Sequence, residues 1–273
     1  MIGKLENHLA SVILYGSIIA ALIFFYVPIV TLVVFSFKEG RYLSMPIEGW
    51  TLEWYWTLFK NRDIGTALSN SFVIAVSAMV ASTVIGLGAA QAWVRYHFRG
   101  KALFQAIGIG PLLFPQLLLA VIILFWFTVL SSRLGFSNGI TTAIIGHVVY
   151  LTPFATIIIA VQAAGLDPTI EQAAEDCGAS GWQVFREVTL PLLWPGIFSA
   201  ATFVFLLSWG NFYLSYSLAG GERTLPTFVF SGIAMGSTPI YPALASMTFA
   251  IGLCLLVVAD MIRRRSAARL KAG

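Results

Sequence analysis

Charged side chains fall between long apolar runs along this chain. Asp, Glu, Lys and Arg are missing from 7–37, 64–94, 102–132, 134–166, 188–221 and 224–259. Each run exceeds the roughly 20 residues that a helix needs to cross the hydrocarbon core of a bilayer. The pattern predicts six apolar helices, near 9–36, 65–95, 103–131, 140–164, 196–219 and 242–262. The last is shorter than its run because Pro226, Gly232, Gly236, Pro239 and Pro242 break up the first half, which reads as a re-entrant or looped segment.

Composition agrees with this pattern. Hydrophobic residues make up 58%, charged residues 10%, and the mean hydropathy is +0.86. A soluble domain carries about a quarter charged residues, so the expected class is an all-α polytopic membrane protein. Lys and Arg set its orientation. With both termini cytoplasmic, ten of the sixteen lie inside, among them Lys4, Arg95, Arg186 and the tail "RRRSAARLK". The net charge of +4 then follows from a positive-inside bias and requires no nucleic acid. The first apolar run is too long for a signal-peptide core and is expected to stay as helix one. Cys177 and Cys254 form no C-x-x-C pair and predict no disulfide.

Polar punctuation sharpens the picture. After helix one, "WTLEWYW" (50–56) groups Trp50, Trp54, Tyr55 and Trp56, which suits a short amphipathic segment at the outer interface. The second apolar run is rich in small residues ("SAMVASTVIGLGAAQAW", 77–93), which lets helices approach closely. In the third, Pro111 and Pro115 remove backbone donors and predict a kink. The most polar interruption is 165–195. Asp167 is a good N-cap, with Pro168 at the first helical position. A short helix over 168–177 should stop at Gly178, a favoured left-handed terminator. Ser180 and Gln183 have the spacing of a capping box and start a second short helix. Pro191 and Pro195 are expected to close the loop.

This stretch resembles the "EAA" loop of permease subunits of binding-protein-dependent ABC importers. Gln172-Ala173-Ala174 is followed three residues later by Gly178, and nine further residues lead to Val188, Thr189, Leu190 and Pro191. The runs 146–180 and 207–230 are similar to the same family, the latter to its spermidine/putrescine-type members. The resemblance implies a MetI-like permease fold, with coupling helices between helices 4 and 5. It divides the chain into an N-terminal helix with its external segment (1–64), a core of five helices (65–262, coupling loop 165–195) and a basic tail (263–273).

The resemblance also implies an ATPase-coupling role for Asp167, Pro168, Glu171, Gln172, Ala173, Ala174, Gly178, Ala179, Leu190 and Pro191. The family usually has Glu where this chain has Gln172, which keeps hydrogen-bonding capacity but no charge. Glu171 is the candidate substitute. Implied partners are a second permease subunit, two copies of an ABC ATPase, an external solute-binding protein and the lipid of a bacterial inner membrane. ATP and Mg belong to the ATPase, and no cofactor is expected in this chain.

Chemistry within the spans is sparse. Each predicted span lacks a buried acid, which argues against an ion-coupled relay. His147 stands alone and reads as a neutral imidazole hydrogen-bonded within the bundle. The polar stretch Ser208, Trp209, Asn211 and Tyr213 is the candidate substrate path, suited to transient contact with a small polar solute or amine. Related polyamine permeases often carry an acid near Asn211, so a solute less cationic than a polyamine is expected. "FRGKA" (98–102) has no phosphate-loop frame, and no clustered acids, nucleophile–base pair or metal ligands point to an enzyme.

Overall fold

The computed structural model describes residues 2–134, 138–236 and 238–254. Among the described residues the secondary structure is helical, apart from one isolated antiparallel bridge between Lys38 and Trp50. The expected cytoplasmic tail, 263–273, lies outside them. The chain forms two compact units: Asp63–Phe228, and a unit drawn from both ends of the chain.

In the terminal unit, α1 (Ile2–Ser36) is apolar all round from Val12 onward and exposes side chains there such as Phe24 at 74%. A helix with no polar face belongs in lipid. Past its end the chain folds back, with Glu39 N–H donating to Gly49 C=O at 2.9 Å and Thr51 N–H to Phe37 C=O at 2.7 Å. The aromatic segment forms α2 (Glu53–Lys60), as expected. The Trp54 indole donates to the Lys38 carbonyl at 2.9 Å, and the Tyr55 and Ser36 hydroxyls lie 2.7 Å apart. Trp50 and Trp56 remain exposed, as interfacial rings should.

The Asp63–Phe228 unit holds most of α3 (Arg62–Val94), then α4 (Lys101–Leu113), α5 (Gln116–Leu134), α6 (Ile140–Ala164) and α7 (Thr169–Asp176). After these come α8 (Gly181–Trp209) and α9 (Phe212–Leu218); α10 (Leu225–Ala234) and α11 (Ile240–Cys254) follow. Its core is built from small side chains. Ala78, Ala90, Ala155 and Ala200 are buried with Leu151, Ile159 and Val204, joining α3, α6 and α8. At Gly86 a Cβ would stand 2.8 Å from the Ala155 Cβ and 2.9 Å from the Thr156 nitrogen, so α3 and α6 touch backbone to backbone. That is the close approach expected of the small-residue run.

Among the described residues, four helices are long and apolar enough to cross a membrane: Ser11–Ser36, Arg62–Val94, Ile140–Ala164 and Gly181–Trp209. The pair α4–α5 makes a fifth if taken as one span. Two differences from the expected elements have clear causes. Where a kink was expected, α4 and α5 meet at 105°. Phe114 is extended, with ψ 137°, as a residue before proline prefers. The second difference lies in the fifth expected span. Rather than starting near 196 after a closed loop, α8 runs unbroken from Gly181 through both prolines. A π-helical turn over Val184–Thr189 ends two residues before Pro191. Such a wide turn relieves the clash of a proline ring with the preceding turn and absorbs its missing donor. The helix then breaks at Gly210 and Asn211, short of the expected end at 219. Of the sixth expected span, 242–262, the described residues run to Cys254 and lie in α11.

Candidate functional site

The polar elbow between α6 and α8 is organised by its own short-range bonds. The Asp167 carboxylate accepts from Thr169 N–H at 2.9 Å, opening α7. That backbone N–H, together with the Thr169 hydroxyl and the more distant charge of Arg95, holds the Asp167 carboxyl below the ordinary carboxylate range. Gly178 has φ +88°, the left-handed conformation expected of it. Ser180 Oγ accepts from Gln183 N–H, and Gln183 Oε1 accepts from Ser180 N–H at 2.8 Å, completing the expected capping box. The second helix it starts is the first turn of α8.

The eight residues of α7 sort by face. Glu171 and Ala174, three apart, are half-buried, whereas Ile170, Gln172 and Ala173 are exposed. At the start of α8, Trp182 is 68% exposed and stacks on Phe185 at 5.6 Å between ring centroids. The polar elbow thus carries exposed apolar side chains on both of its helical segments.

Glu171 and Gln172 are neighbours in sequence and point apart. Glu171 Oε2 lies 3.1 Å from Arg95 Nε near the end of α3, an ion pair whose N–H is not aimed along the contact. Glu171 Oε1 accepts from the buried Thr189 hydroxyl at 2.7 Å. Arg95 also donates to the Leu166 carbonyl at 3.4 Å. A cavity of about 470 Å³ opens beside these residues, lined by Gln91, Tyr96, Glu175 and Phe185 among others. In the sequence Arg95 counts only among the inside basic residues and Thr189 only as a position of the motif spacing, neither as a site residue. The only available signal for Arg95 was its place as the first charge after the second apolar run. Leu190 and Pro191 follow Thr189 directly in α8.

The candidate substrate-path residues surround the second interruption. Asn211 is buried, and its Oδ1 accepts from Leu214 N–H at 3.1 Å, capping α9. Ser208 is buried, and its Oγ lies 2.7 Å from His147 Nδ1. On the other side of the ring, Nε2 lies 3.3 Å from Ser215 Oγ. His147 therefore bridges the end of α8 and the middle of α9, in keeping with a bundle histidine. Trp209 stacks on Phe205 at 5.9 Å, and Tyr213 stays 47% exposed. So the structure brings Ser208 and Asn211 into internal bonds and leaves Tyr213 open. Among the described residues, no group of three or more His, Cys, Asp or Glu could hold a metal.

This arrangement can now be compared with known proteins. The sequence profile of the family described as "Binding-protein-dependent transport system inner membrane component" matches residues 82–271, more than two-thirds of the chain. The chain belongs to this family. It is similar to the putrescine transport system permease protein PotI of Escherichia coli (strain K12), with 31% identity over 253 residues, covering 91% of this chain and 90% of the relative. The spermidine/putrescine transport system permease protein PotC of Haemophilus influenzae shows 32% identity over 244 residues, covering 89% and 93%. Among solved structures, a bacterial alginate ABC transporter in complex with an alginate pentasaccharide-bound periplasmic protein has a chain at TM-score 0.74 and 18% identity. That likeness covers 95% of each chain. The MetNI methionine ABC transporter, in an inward-facing conformation, reaches 0.60 at 21% identity, covering 78% of this chain and 98% of that one. These likenesses establish the MetI-like fold. The chain is the multi-pass permease subunit of an ABC importer, a transport component and not an enzyme.

Proposed function

We propose that this subunit moves a small polar organic solute inward, driven by ATP hydrolysis in a partner ATPase that grips the elbow around α7. What carries this reading is the outward face of the elbow. Ile170 and Ala173 on α7 and Trp182 at the start of α8 are exposed apolar side chains on a segment ordered by the Asp167–Thr169 bond, the left-handed Gly178 and the Ser180–Gln183 capping box. Gln172 points out beside them and supplies an uncharged hydrogen-bonding contact. In this reading both termini are cytoplasmic and the chain crosses six times. One subunit supplies half of the path, so it works beside a second permease of similar fold, two ATPase copies and an external binding protein.

The solute belongs to the amine or amino-acid-like class. The named relatives transport putrescine or spermidine, and Asn211 distinguishes this chain from permeases with an acid near that place. Asp caps a helix as well as Asn does. An acid at 211 would therefore leave the cap of α9 intact and change only the charge, which ties the difference to the solute. Two measurements test the reading. Purification of the tagged chain in mild detergent should bring down an ATPase and a second permease, and deletion of 168–187 should lose the ATPase. In uptake competition, spermidine should compete weakly against wild type and at least tenfold better against Asn211→Asp. A wild-type chain that transports in sealed vesicles without ATP would refute the importer mechanism.

A further inference from the structure

We infer that Glu171 is a positioning residue: its carboxylate locks α7 to α3 and α8, so that a displacement of α7 is passed to both helices. This rests on the ATPase-driven reading above but assigns Glu171 a different task from contact with the ATPase. The two carboxylate oxygens are divided between two elements. Oε2 meets Arg95 on the α3 side at 3.1 Å, and Oε1 takes the Thr189 hydroxyl from the π-helical turn of α8 at 2.7 Å. Arg95 reaches on to the Leu166 carbonyl, where α6 has just ended. One acidic side chain therefore closes a loop through α3, the α6–α7 connection, α7 and α8.

The pair is sheltered, with Arg95 and Glu171 side chains 17% and 20% exposed. Sheltering reduces salt screening and makes the geometry matter more than in a surface pair. No residue of α7 is fully buried, so apolar packing contributes little to holding this helix in place. Thr189 is buried and stands directly before Leu190 and Pro191, so a pull on its hydroxyl acts on the base of a long, continuous helix. At the far end of that helix, Ser208 meets His147. The lock thus sits at one end of α8 and the buried polar bridge at the other.

The test is a double-mutant cycle with Glu171→Gln, Arg95→Gln and both together, read in two ways. The first readout is hydrogen exchange of the 169–176 amides in the chain alone, which needs no partner. Each single variant should raise exchange there at least threefold, and the double variant should be no faster than the faster single. The second is solute moved per ATP hydrolysed in the reconstituted complex, which should fall at least fivefold in each single variant with no further fall in the double. A role in folding alone would change the amount of complex and leave this ratio intact. Effects that multiply in the double variant would overturn the lock, because the two residues would then act separately. So would an unchanged ratio, or loss of the ATPase in Glu171→Gln but not in Arg95→Gln, which would mean that Glu171 faces the ATPase. If the wild-type chain neither retains an ATPase nor shows ATP-dependent uptake, the importer mechanism falls instead, and the exchange readout still decides the lock.

Discussion

Two interruptions of helix in the Asp63–Phe228 unit are built in opposite ways. At the elbow, Asp167 serves Thr169, while Ser180 and Gln183 serve each other, so every cap is supplied within three positions. At the break between α8 and α9, Asn211 supplies a local cap, but the bridge across the gap comes from His147. That histidine is 61 positions from Ser208 and 68 from Ser215. An element that satisfies itself can stand exposed and offer its surface to another protein. One that depends on a distant helix is only as secure as the packing around it. The first suits a docking elbow, and the second a seam inside a moving bundle.

The contrast can be broken from either side. The largest effect on transport is expected at Gly178→Val. A β-branched residue at φ +88° is strained by about 1–3 kcal/mol, and a Cβ there meets no other atom, so the bundle itself is undisturbed. Uptake in proteoliposomes should fall more than tenfold while the bundle stays folded, with amide exchange rising only around the elbow. Next is His147→Leu, which strips Ser208 and Ser215 of their shared partner. Leaving buried polar groups unsatisfied costs about 1–3 kcal/mol, and a thermal melt should record it, with amide exchange at the elbow unchanged. Ser180→Ala removes one arm of the capping box and should cost about 1 kcal/mol, seen as faster exchange confined to the start of α8.

The smallest effect concerns acid. The Asp167 carboxyl is depressed in the folded state, so its contribution is fully present above the unfolded value of about 3.9 and is lost as pH falls through the lower folded value. Protection factors in 169–176 should hold from neutral pH down to about pH 5, then decline at stronger acid. Asp167→Asn should remove that decline.

The same contrast explains what could be read from the sequence. Asp167, Gly178, Ser180 and Gln183 signal through spacings of a few residues, and the elbow was legible for that reason. Arg95 and Glu171, like His147 and Ser215, meet only because helices fold together, and no local spacing reports it. Pro191 and Pro195 misled in a different way. A proline ordinarily ends or kinks a helix, and the π-helical turn that lets α8 continue depends on the register of hydrogen bonds, which side-chain identity does not encode. At Pro111 and Pro115 the direction was right and the size was not, since a proline pair does not specify the 105° angle between α4 and α5.

The unbroken course of α8 has a consequence for the surrounding lipid. Its 29 residues span about 43 Å at 1.5 Å per residue, against a hydrocarbon thickness of about 30 Å. The excess falls at the end bearing Arg186 and Glu187, which do not enter the hydrocarbon readily. The first two turns therefore stand clear of the acyl chains and carry the elbow with them. Hydrophobic mismatch then acts on the elbow through this helix. Longer-chain lipids draw the charged end toward the headgroups, shorter chains lengthen the overhang, and bilayer thickness becomes a variable in how far the elbow reaches.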